Sequence, residues 1–487
     1  MLRNHSGDRI GEDDLIHERR EFIFERDGAV SRHGLPEAPP RAHLVRSRYA
    51  NHRAVLQILR LTGATTRLEL ARCTGLTKPT ISAITGRLID LDLVRYVDRR
   101  RGGRGQPPLQ LMMKADGAFG VGVDVDRDCL TLAVVDLAGH VRARASRAIA
   151  SVSPRDAIRF VEQLLPEVLQ EAGIPRQRVV GVGLAVAESL YDPAASGHRS
   201  QWADCDIEAA LSVVLSLPVV SDNAAAAAAA AEIYHAATVL NPSFFMLSIG
   251  STLDGCAVIN GVPLHATGAH GPTMGSMADE SSDRAGARIE DIVSVPALSA
   301  RLERNGASLE FDLMDKGAAL LDEWVADASL ALAKPVASVA QLLKVDTILI
   351  GARLPLPAIE RLAKALSDRL AALKAAPAAR ASPAFNAVDS IAIGAATLPF
   401  VDQLFPRDTL IVQPAPMRPL SLVPTHQHPS RTAFATTDKV GIPRATCLNG
   451  TGGGRKTPAV AATPLPCDRA KRAGSSTRLS SCKAPPR

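Results

Sequence analysis

Aromatic residues are scarce in this sequence. Phe, Trp and Tyr make up 3% of its 487 residues, so the core must consist mainly of Ala, Val, Leu and Ile. The sequence also lacks an uncharged apolar run of about 18 residues, which a membrane-spanning helix needs. Its charged beginning contains no apolar segment of the kind that secretory signals carry. These absences predict a cytoplasmic protein that makes no contact with a membrane.

Paired cysteines are absent as well. The seven cysteines are scattered, and none of them forms a Cys-x-x-Cys pair or has the spacing of zinc ligands. An odd number of isolated cysteines in a long chain is typical of reduced thiols in a cytoplasm. We therefore expect no bound metal and no cofactor.

The charge is unevenly distributed along the chain. The formal net charge is +6, but from Arg418 onward twelve Lys and Arg residues stand against two Asp and Glu residues. The part before Arg418 is therefore slightly acidic, and the overall basic balance is no evidence for nucleic-acid binding. The composition predicts a flexible extension over residues 1–45 and a disordered basic tail over residues 406–487.

Two folded domains are predicted between these ends. Residues 46–108 have a compact helical pattern, which closes with a basic segment rich in glycine and proline. Over residues 109–405, strand-like and helix-like segments alternate, and this alternation is typical of α/β architecture.

The first of these domains contains a helix-turn-helix pattern. Gly75 supplies a turn residue that tolerates positive φ, Thr77 can cap a second helix, and Pro79 suits the first turn of that helix. The apolar residues that predict the buried faces are Leu68, Leu70 and Ala71 in the first helix and Ile81, Ile84 and Leu88 in the second.

The polar residues of the second helix and the segment after it are candidates for contacts with double-stranded DNA. The helix residues predicted to face the groove or the phosphates are Thr77, Lys78, Thr80, Ser82 and Arg87. "LVRYV" then predicts a β-wing, whose tip carries Arg99, Arg100, Arg101 and Arg104. A small helical bundle with a solvated basic loop could share this spacing. The turn glycine, the cap and the basic wing occur together here, so we favour a winged helix-turn-helix.

Eight consecutive alanines from Ala224 onward dominate the middle of the second domain. Alanine is the best helix former, and Ser221, Asp222 and Asn223 before the run are good N-cap residues. The run therefore predicts a helix that follows the apolar segment "LPVV". Alanine supplies no acid, base or metal ligand, so this helix predicts packing rather than chemistry.

The order of these segments resembles the ROK family, which joins sugar kinases and sugar-responsive repressors. The segments that carry the resemblance are "GGRGQPPLQL", "GVGVDVDRDCLTLAVVDLAGHV", "VVGVGLAVAE", "LPVVSDNAAAA", "LSIGSTLDGCAVINGVPLHATGAHG", "IEDIVSVPAL" and "ILIGA". The resemblance implies an N-terminal winged helix-turn-helix joined to a two-lobed α/β domain with the actin-like ATPase (ribonuclease H-like) fold.

The resemblance also implies that the catalytic and nucleotide-binding positions of the kinases are altered. The catalytic aspartate of the family falls on Ala224, so no carboxylate stands where a general base is needed. The phosphate loop that resembles D-x-G reads Asp124-Val125-Asp126, and its second acid would repel a triphosphate. We therefore predict no catalytic residue and no enzyme activity.

Sugar and zinc positions are depleted in the same way. The sugar-binding glutamate of the family falls on Gly275 and the zinc-binding histidine on Ala278. The three zinc cysteines fall on Ser281, Asp283 and Arg288. The polar residues that the resemblance leaves for an effector are Asn223 and Glu290, with Asp222 and His270 as further candidates.

Together these features predict a DNA-binding transcriptional regulator, acting as a repressor. It would sense a sugar or sugar derivative and bind its operator as a homodimer or homotetramer. Two alternatives stay open. One is a DNA-binding dimer that responds to no ligand, and the other is a sugar kinase with an accessory DNA-binding domain.

Overall fold

The computed structural model describes residues 40–97, 109–149, 152–191, 201–235, 243–264, 274–309, 313–373 and 379–405. The predicted basic tail, residues 406–487, and most of the predicted N-terminal extension lie outside these ranges. In the described part of the chain, no helix combines the length and the apolar character needed to cross a bilayer.

Residues 40–113 form a small helical unit with a three-stranded sheet, which we call the N-terminal module. Its elements are α1 (Pro40–Thr62), β1 (Thr65–Thr66), α2 (Arg67–Thr74), α3 (Lys78–Asp90), β2 (Val94–Tyr96) and β3 (Gln110–Met113). The strand β3 lies between β1 and β2 and pairs antiparallel with both. The module therefore extends beyond residue 108, where the sequence placed the domain boundary. It also begins with a helix at Pro40, inside the segment expected to be flexible, because proline fits the first turn of a helix.

Local capping fixes the two helices α2 and α3. The side chain of Thr66 caps α2 in a capping box with Glu69, and Gly75 ends that helix at φ 70°. The Thr77 side chain then accepts a hydrogen bond from the Thr80 amide at the start of α3. The turn and the cap lie where the sequence predicted them.

The buried face of α2 differs from the prediction at one residue. Leu70 is fully buried, whereas Leu68 is 46% exposed. Residues two positions apart on a helix point to nearly opposite sides, so the two leucines cannot share a buried face. On α3 the predicted apolar residues Ile81, Ile84 and Leu88 are all buried.

The rest of the chain forms two lobes, each built on a five-stranded sheet. Lobe 1 contains β4 (Phe119–Val125), β5 (Cys129–Asp136), β6 (Val141–Ala148), α4 (Pro154–Glu171), β7 (Val179–Val186), α5 (Ile207–Leu215) and β8 (Val219–Asn223). A central helix, α6 (Ala224–Tyr234), follows directly from β8. Lobe 2 contains β9 (Phe244–Ile249), β10 (Leu253–Ile259), β11 (Val262–Pro263), α7 (Val295–Glu303), α8 (Ala318–Leu343), β12 (Thr347–Ala352), α9 (Leu356–Ala372) and β13 (Arg380–Val388). The last helix, α10, covers Ser390–Gln403.

The two sheets have the same topology. The strand order is β6-β5-β4-β7-β8 in lobe 1 and β11-β10-β9-β12-β13 in lobe 2. In each sheet the first three strands in chain order pair antiparallel. The fourth strand then pairs parallel with the first, and the fifth pairs parallel with the fourth. This repeated arrangement confirms the expected two-lobed, actin-like α/β fold.

The helices α6 and α10 pack against each other between the two sheets. The helix α6 contacts β9 and β10 of lobe 2, whereas α10 contacts β4 and β7 of lobe 1. All eight alanines of α6 are buried. A Cβ on Gly394 of α10 would lie 1.9 Å from the carbonyl oxygen of Ala227, so the two backbones touch directly. Small residues are needed here because larger ones would separate the helices, which accounts for the alanine run.

The N-terminal module shares one apolar core with lobe 1. Leu56 and Leu59 of the module belong to the same buried cluster as Val135 and Phe400. Outside this core, the Asp92 carboxylate lies 2.8 Å from Lys114 Nζ and 2.7 Å from Arg178 Nη2.

A half-buried arginine connects the module to the central helix α6. The guanidinium of Arg60 donates hydrogen bonds to the carbonyl oxygens of Ile233 and Tyr234 at the end of α6. It also lies over the rings of Tyr234 and Phe405, 5.1 Å and 5.5 Å from their centroids. Burial lowers the pKa of Arg60, although the neighbouring Tyr234 opposes that shift. A cation at this position interacts favourably with the negative end of the helix dipole.

Candidate functional site

The outer face of α3 presents polar residues to solvent. Thr77, Lys78 and Ser82 are exposed, and Lys78 and Ser82 are four positions apart on one face of the helix. Thr80 and Arg87 are half-buried, and the Thr80 hydroxyl lies 2.8 Å from that of Thr77. Thr77 and Thr80 therefore contribute to the helix cap, and Lys78 and Ser82 are the most accessible of the five predicted residues.

Arg67 supports this face in a way that the sequence did not predict. Its Nε donates to Thr85 Oγ1 at 2.8 Å, and its Nη2 donates to the Tyr96 hydroxyl at 2.9 Å. The guanidinium thereby connects α2, α3 and the strand β2. Tyr96 is 39% exposed, and Arg95 beside it is exposed as well. The two partners of Arg67 lie 18 and 29 residues further along the chain, so no local pattern in the sequence indicates these contacts.

Several predicted residues lie outside the described part of the chain. They are Arg99, Arg100, Arg101 and Arg104 of the wing and His270 of the effector set.

Asp222 and Asn223 lie together where β8 passes into α6. The Asn223 side chain accepts a hydrogen bond of 2.9 Å from the Ala226 amide, and so it caps the alanine helix. The Asp222 carboxylate accepts one of 2.9 Å from the Asn223 amide. Burial, assisted by the negative charge of Asp222, raises the pKa of Cys256 on β10 to about 12. The charge of Asp222 in lobe 1 therefore acts on Cys256 in lobe 2.

Glu290 lies beside Gly275. A Cβ on Gly275 would lie 2.9 Å from Glu290 Oε2 and 3.1 Å from the carbonyl oxygen of Leu253. A side chain at position 275 would therefore clash in this arrangement. The other carboxylate oxygen of Glu290 lies 3.4 Å from Arg288 Nη1, and the Glu290 side chain is 25% exposed.

The segment over residues 278–288 is held by hydrogen bonds. Ala278 and Arg288 form an isolated antiparallel bridge, and the Ser281 hydroxyl donates to Asp279 Oδ1 at 2.6 Å. Within the described ranges, no group of three or more His, Cys, Asp and Glu side chains is arranged to hold a metal ion.

The two aspartates at the end of the first strand of lobe 1, Asp124 within it and Asp126 just after it, are buried. Asp124 is 3% exposed and Asp126 is also 3% exposed. Burial and the nearby charge of Asp126 raise the pKa of Asp124 well above its usual range.

Residues 120–399 match the sequence pattern of the ROK family. The chain belongs to the ROK family. This ROK protein is 25% identical over 367 residues to the uncharacterized protein y4fQ of Sinorhizobium fredii, a match that covers 73% of the chain and 92% of y4fQ. It is 22% identical over 217 residues to the xylose repressor of Bacillus subtilis. That match covers 43% of the chain and 55% of the repressor, so it spans about half of the repressor's length.

The fold is also found among solved structures. A ROK family transcriptional regulator, described as a homologue of the MLC protein of E. coli, superposes with a TM-score of 0.54 and 19% sequence identity. The superposition covers 73% of this chain and 97% of that regulator. The similarity therefore includes the two lobes and extends beyond the 280 residues that match the family.

Proposed function

We propose that this ROK protein is a DNA-binding transcriptional regulator that acts as a repressor. The observation that carries the proposal is the geometry of α3. The helix is capped at Thr77, it follows a three-residue turn after α2, and it presents Lys78 and Ser82 on its exposed face. A helix of this kind beside a small antiparallel sheet supports the proposal of a winged helix-turn-helix. Its N-terminal residues would contact base edges in the major groove.

The basic residues near the wing would add contacts with the phosphates. Arg95 is exposed on β2, and the arginines of the segment 99–104 follow it in the sequence. Arginine and lysine contacts with phosphates position a protein on the duplex without reading its sequence. Regulators of this type bind palindromic operators as symmetric oligomers, so we propose a homodimer or homotetramer.

The two-lobed domain would sense a sugar or a sugar derivative. Asp222 and Asn223 of lobe 1 and Glu290 of lobe 2 supply oxygen and amide groups suited to a polyol. The xylose repressor, to which this chain is similar, supports a sugar-type ligand. Such a ligand would change DNA affinity only if it binds the two arrangements of the protein differently.

We further propose that the protein is not a kinase. Ala224 is the first residue of a buried helix, and its side chain cannot accept a proton. The buried Asp126 carboxylate, in the loop that resembles D-x-G, opposes the binding of a nucleotide phosphate.

Selection of genomic DNA fragments by the purified protein, followed by sequencing, tests the proposal. We expect palindromic sites to be enriched. Lys78→Ala combined with Ser82→Ala should weaken binding to these sites by at least about tenfold, because both side chains face the groove. Lys344→Ala is the matched control, since it removes one exposed charge from lobe 2. Absence of specific enrichment would contradict the proposal.

A panel of sugars and sugar phosphates, added to the same selection, tests the effector. Release of the enriched sites by one compound would identify the ligand, and Glu290→Gln should weaken that response. Enriched sites that no compound releases would instead favour a DNA-binding oligomer without a ligand. Turnover of ATP with any hexose would contradict the absence of kinase activity.

A further inference from the structure

The two lobes are joined by a buried carboxylate. Asp126, in the turn between β4 and β5 of lobe 1, reaches the turn between β9 and β10 of lobe 2. Its Oδ2 accepts a hydrogen bond of 2.8 Å from the Ser251 amide, and its Oδ1 accepts another from the Ser251 hydroxyl. The Asp126 side chain is 4% exposed, so solvent screens these contacts only weakly.

A guanidinium completes the surroundings of this carboxylate. Arg353, which follows β12 of lobe 2, places Nη2 at 2.7 Å from Asp126 Oδ2 and at 2.7 Å from Asp128 Oδ1. Burial disfavours the charged form of Arg353, but the two aspartates outweigh it and raise the pKa of Arg353 above its usual range. The Arg353 amide also donates to the carbonyl oxygen of Ile249 at 3.1 Å, which holds the arginine beside the same turn.

The turn of lobe 2 is shaped to admit the carboxylate. A Cβ on Gly250 would lie 2.6 Å from Asp126 Oδ2, so only glycine allows this approach. The Ser251 amide and the Ser251 hydroxyl donate to this carboxylate, and the Arg353 guanidinium forms an ion pair with it. A backbone amide, a hydroxyl and an arginine that converge in this way form an anion-binding site.

We propose that the turn formed by Gly250 and Ser251, together with Arg353, is an anion-binding site that the chain's own Asp126 occupies. The bound carboxylate is an internal latch that holds lobe 1 and lobe 2 in one arrangement. An external anion reaches the site only when Asp126 leaves it, and the lobes are then free to move apart. This inference concerns the lobes alone and does not depend on DNA binding.

Hydrogen–deuterium exchange of the full chain, followed by mass spectrometry, tests the latch. Asp126→Ala removes the carboxylate from lobe 1, and the readout is the peptide over residues 249–253 of lobe 2. We expect exchange there to become at least about tenfold faster, because local opening follows the loss of a buried ionic contact. Arg353→Ala should likewise accelerate exchange in the peptide over residues 124–129 of lobe 1.

Asp128→Ala is the matched control. Asp128 also pairs with Arg353 from lobe 1, but it is 45% exposed. Its removal should leave exchange at residues 249–253 within about twofold of the unaltered protein, as expected for an exposed ion pair. Unchanged exchange over residues 67–90 of the N-terminal module would verify that each variant is folded. Asp126→Asn is a second variant, which removes the charge of Asp126 but keeps nearly the same side-chain shape.

Acetate tests the anion site itself, because it replaces the missing carboxylate. In Asp126→Ala, sodium acetate should restore protection at residues 249–253, whereas sodium chloride at the same ionic strength should not. Unchanged exchange in Asp126→Ala would overturn the latch, and so would equal acceleration in Asp128→Ala. A failure of acetate to restore protection would overturn the assignment of an anion site.

Discussion

At the scale of single residues, the contact between Gly394 and Ala227 determines how closely the two central helices approach. The backbone of α10 lies against the backbone of α6, and no space remains for a side chain at position 394. One added methyl group must therefore push the two helices apart. The fold therefore depends on the absence of a side chain at Gly394.

Gly394→Ala should destabilise the protein by about 3 kcal/mol or more, because overpacking forces a backbone shift. Urea denaturation measures the change. The control is Gly86→Ala in α3, where a Cβ meets nothing within 4 Å. That substitution should be neutral or stabilise by about 0.5–1 kcal/mol, since alanine restricts the unfolded chain. Equal effects of the two substitutions would contradict the close packing of α6 and α10.

Glu232, near the end of α6, makes the stability of the folded protein depend on pH. The carboxylate is buried, and its Oε1 accepts a hydrogen bond of 2.7 Å from the Phe385 amide. Burial raises the pKa of Glu232 to about 7, although backbone hydrogen bonds from Phe385 and Asn386 oppose the shift. The pKa of this carboxyl group is lower in the unfolded state than in the folded state. Between the two pKa values, the unfolded state therefore loses the proton that the folded state still holds. The folded protein therefore loses stability as the pH rises from about 4.5 to about 7.

Glu232→Gln should remove this part of the pH dependence, which amounts to about 3 kcal/mol over that interval. The free energy of unfolding, measured at pH 5 and at pH 7.5, should fall less in the variant than in the unaltered protein. Glu167→Gln on the exposed side of α4 serves as the comparison and should leave the slope unchanged. The same slope in all three proteins would contradict the raised pKa.

The sequence predicted residues whose role is local and missed those whose partners are distant. Gly75 and Thr77 act on their immediate neighbours, so turn and capping rules were sufficient for them. Asp126 contacts Ser251 at a separation of 125 residues, and no periodicity indicates such a pair. From the sequence we interpreted Asp126 as a charge that repels phosphate. The sequence did not indicate that this carboxylate joins the two lobes.

At the scale of elements, the helix α6 is held at both ends by side chains. Asn223 caps its N-terminus, and Arg60 of the N-terminal module binds its last carbonyl oxygens. The alanine side chains between them cannot form hydrogen bonds, so the position of the helix depends on close packing and on the polar contacts near its two ends, which include those of Glu232 and Tyr234. The helix propensity of alanine and the capping residues predicted the helix, but they could not predict the arginine 173 residues away.

Arg60→Ala should destabilise the protein by about 2–4 kcal/mol, because it leaves buried carbonyl oxygens without their donor. Arg60→Lys should recover part of this loss, since it keeps the charge but not the planar guanidinium. Arg72→Ala on α2 removes an exposed arginine and should change stability by no more than about 0.5 kcal/mol. Thermal and urea denaturation would detect the differences. An Arg60→Ala protein as stable as Arg72→Ala would contradict the role of this contact.

At the scale of the whole molecule, the N-terminal module and lobe 1 form a single core. Leu56, Leu59, Val135 and Phe400 belong to one buried cluster, and Asp92 adds ion pairs with Lys114 and Arg178. The repeated strand order of the two lobes was predictable from the resemblance to the ROK family. The shared core was not, because apolar patterns show which residues are buried and not against which element.

We therefore expect the module and lobe 1 to unfold in one cooperative step. Native-state hydrogen exchange in low urea should give the same opening free energy for amides of Leu56 and Val135, within about 0.5 kcal/mol. Asp92→Ala should lower both values together. Earlier opening of the module, with lobe 1 still protected, would contradict a common core.

The contact of Arg60 with the end of α6 has a consequence for protein engineering. A chimera that takes the N-terminal module, the proposed DNA reader, from this chain and its two-lobed domain from another protein would be cut near residue 114. That cut separates Arg60 from Tyr234 and Phe405, although all three lie on one buried surface. A functional exchange must therefore transplant the last turn of α6 and the segment from α10 to Phe405 as well, so the interchangeable part is not contiguous in the gene.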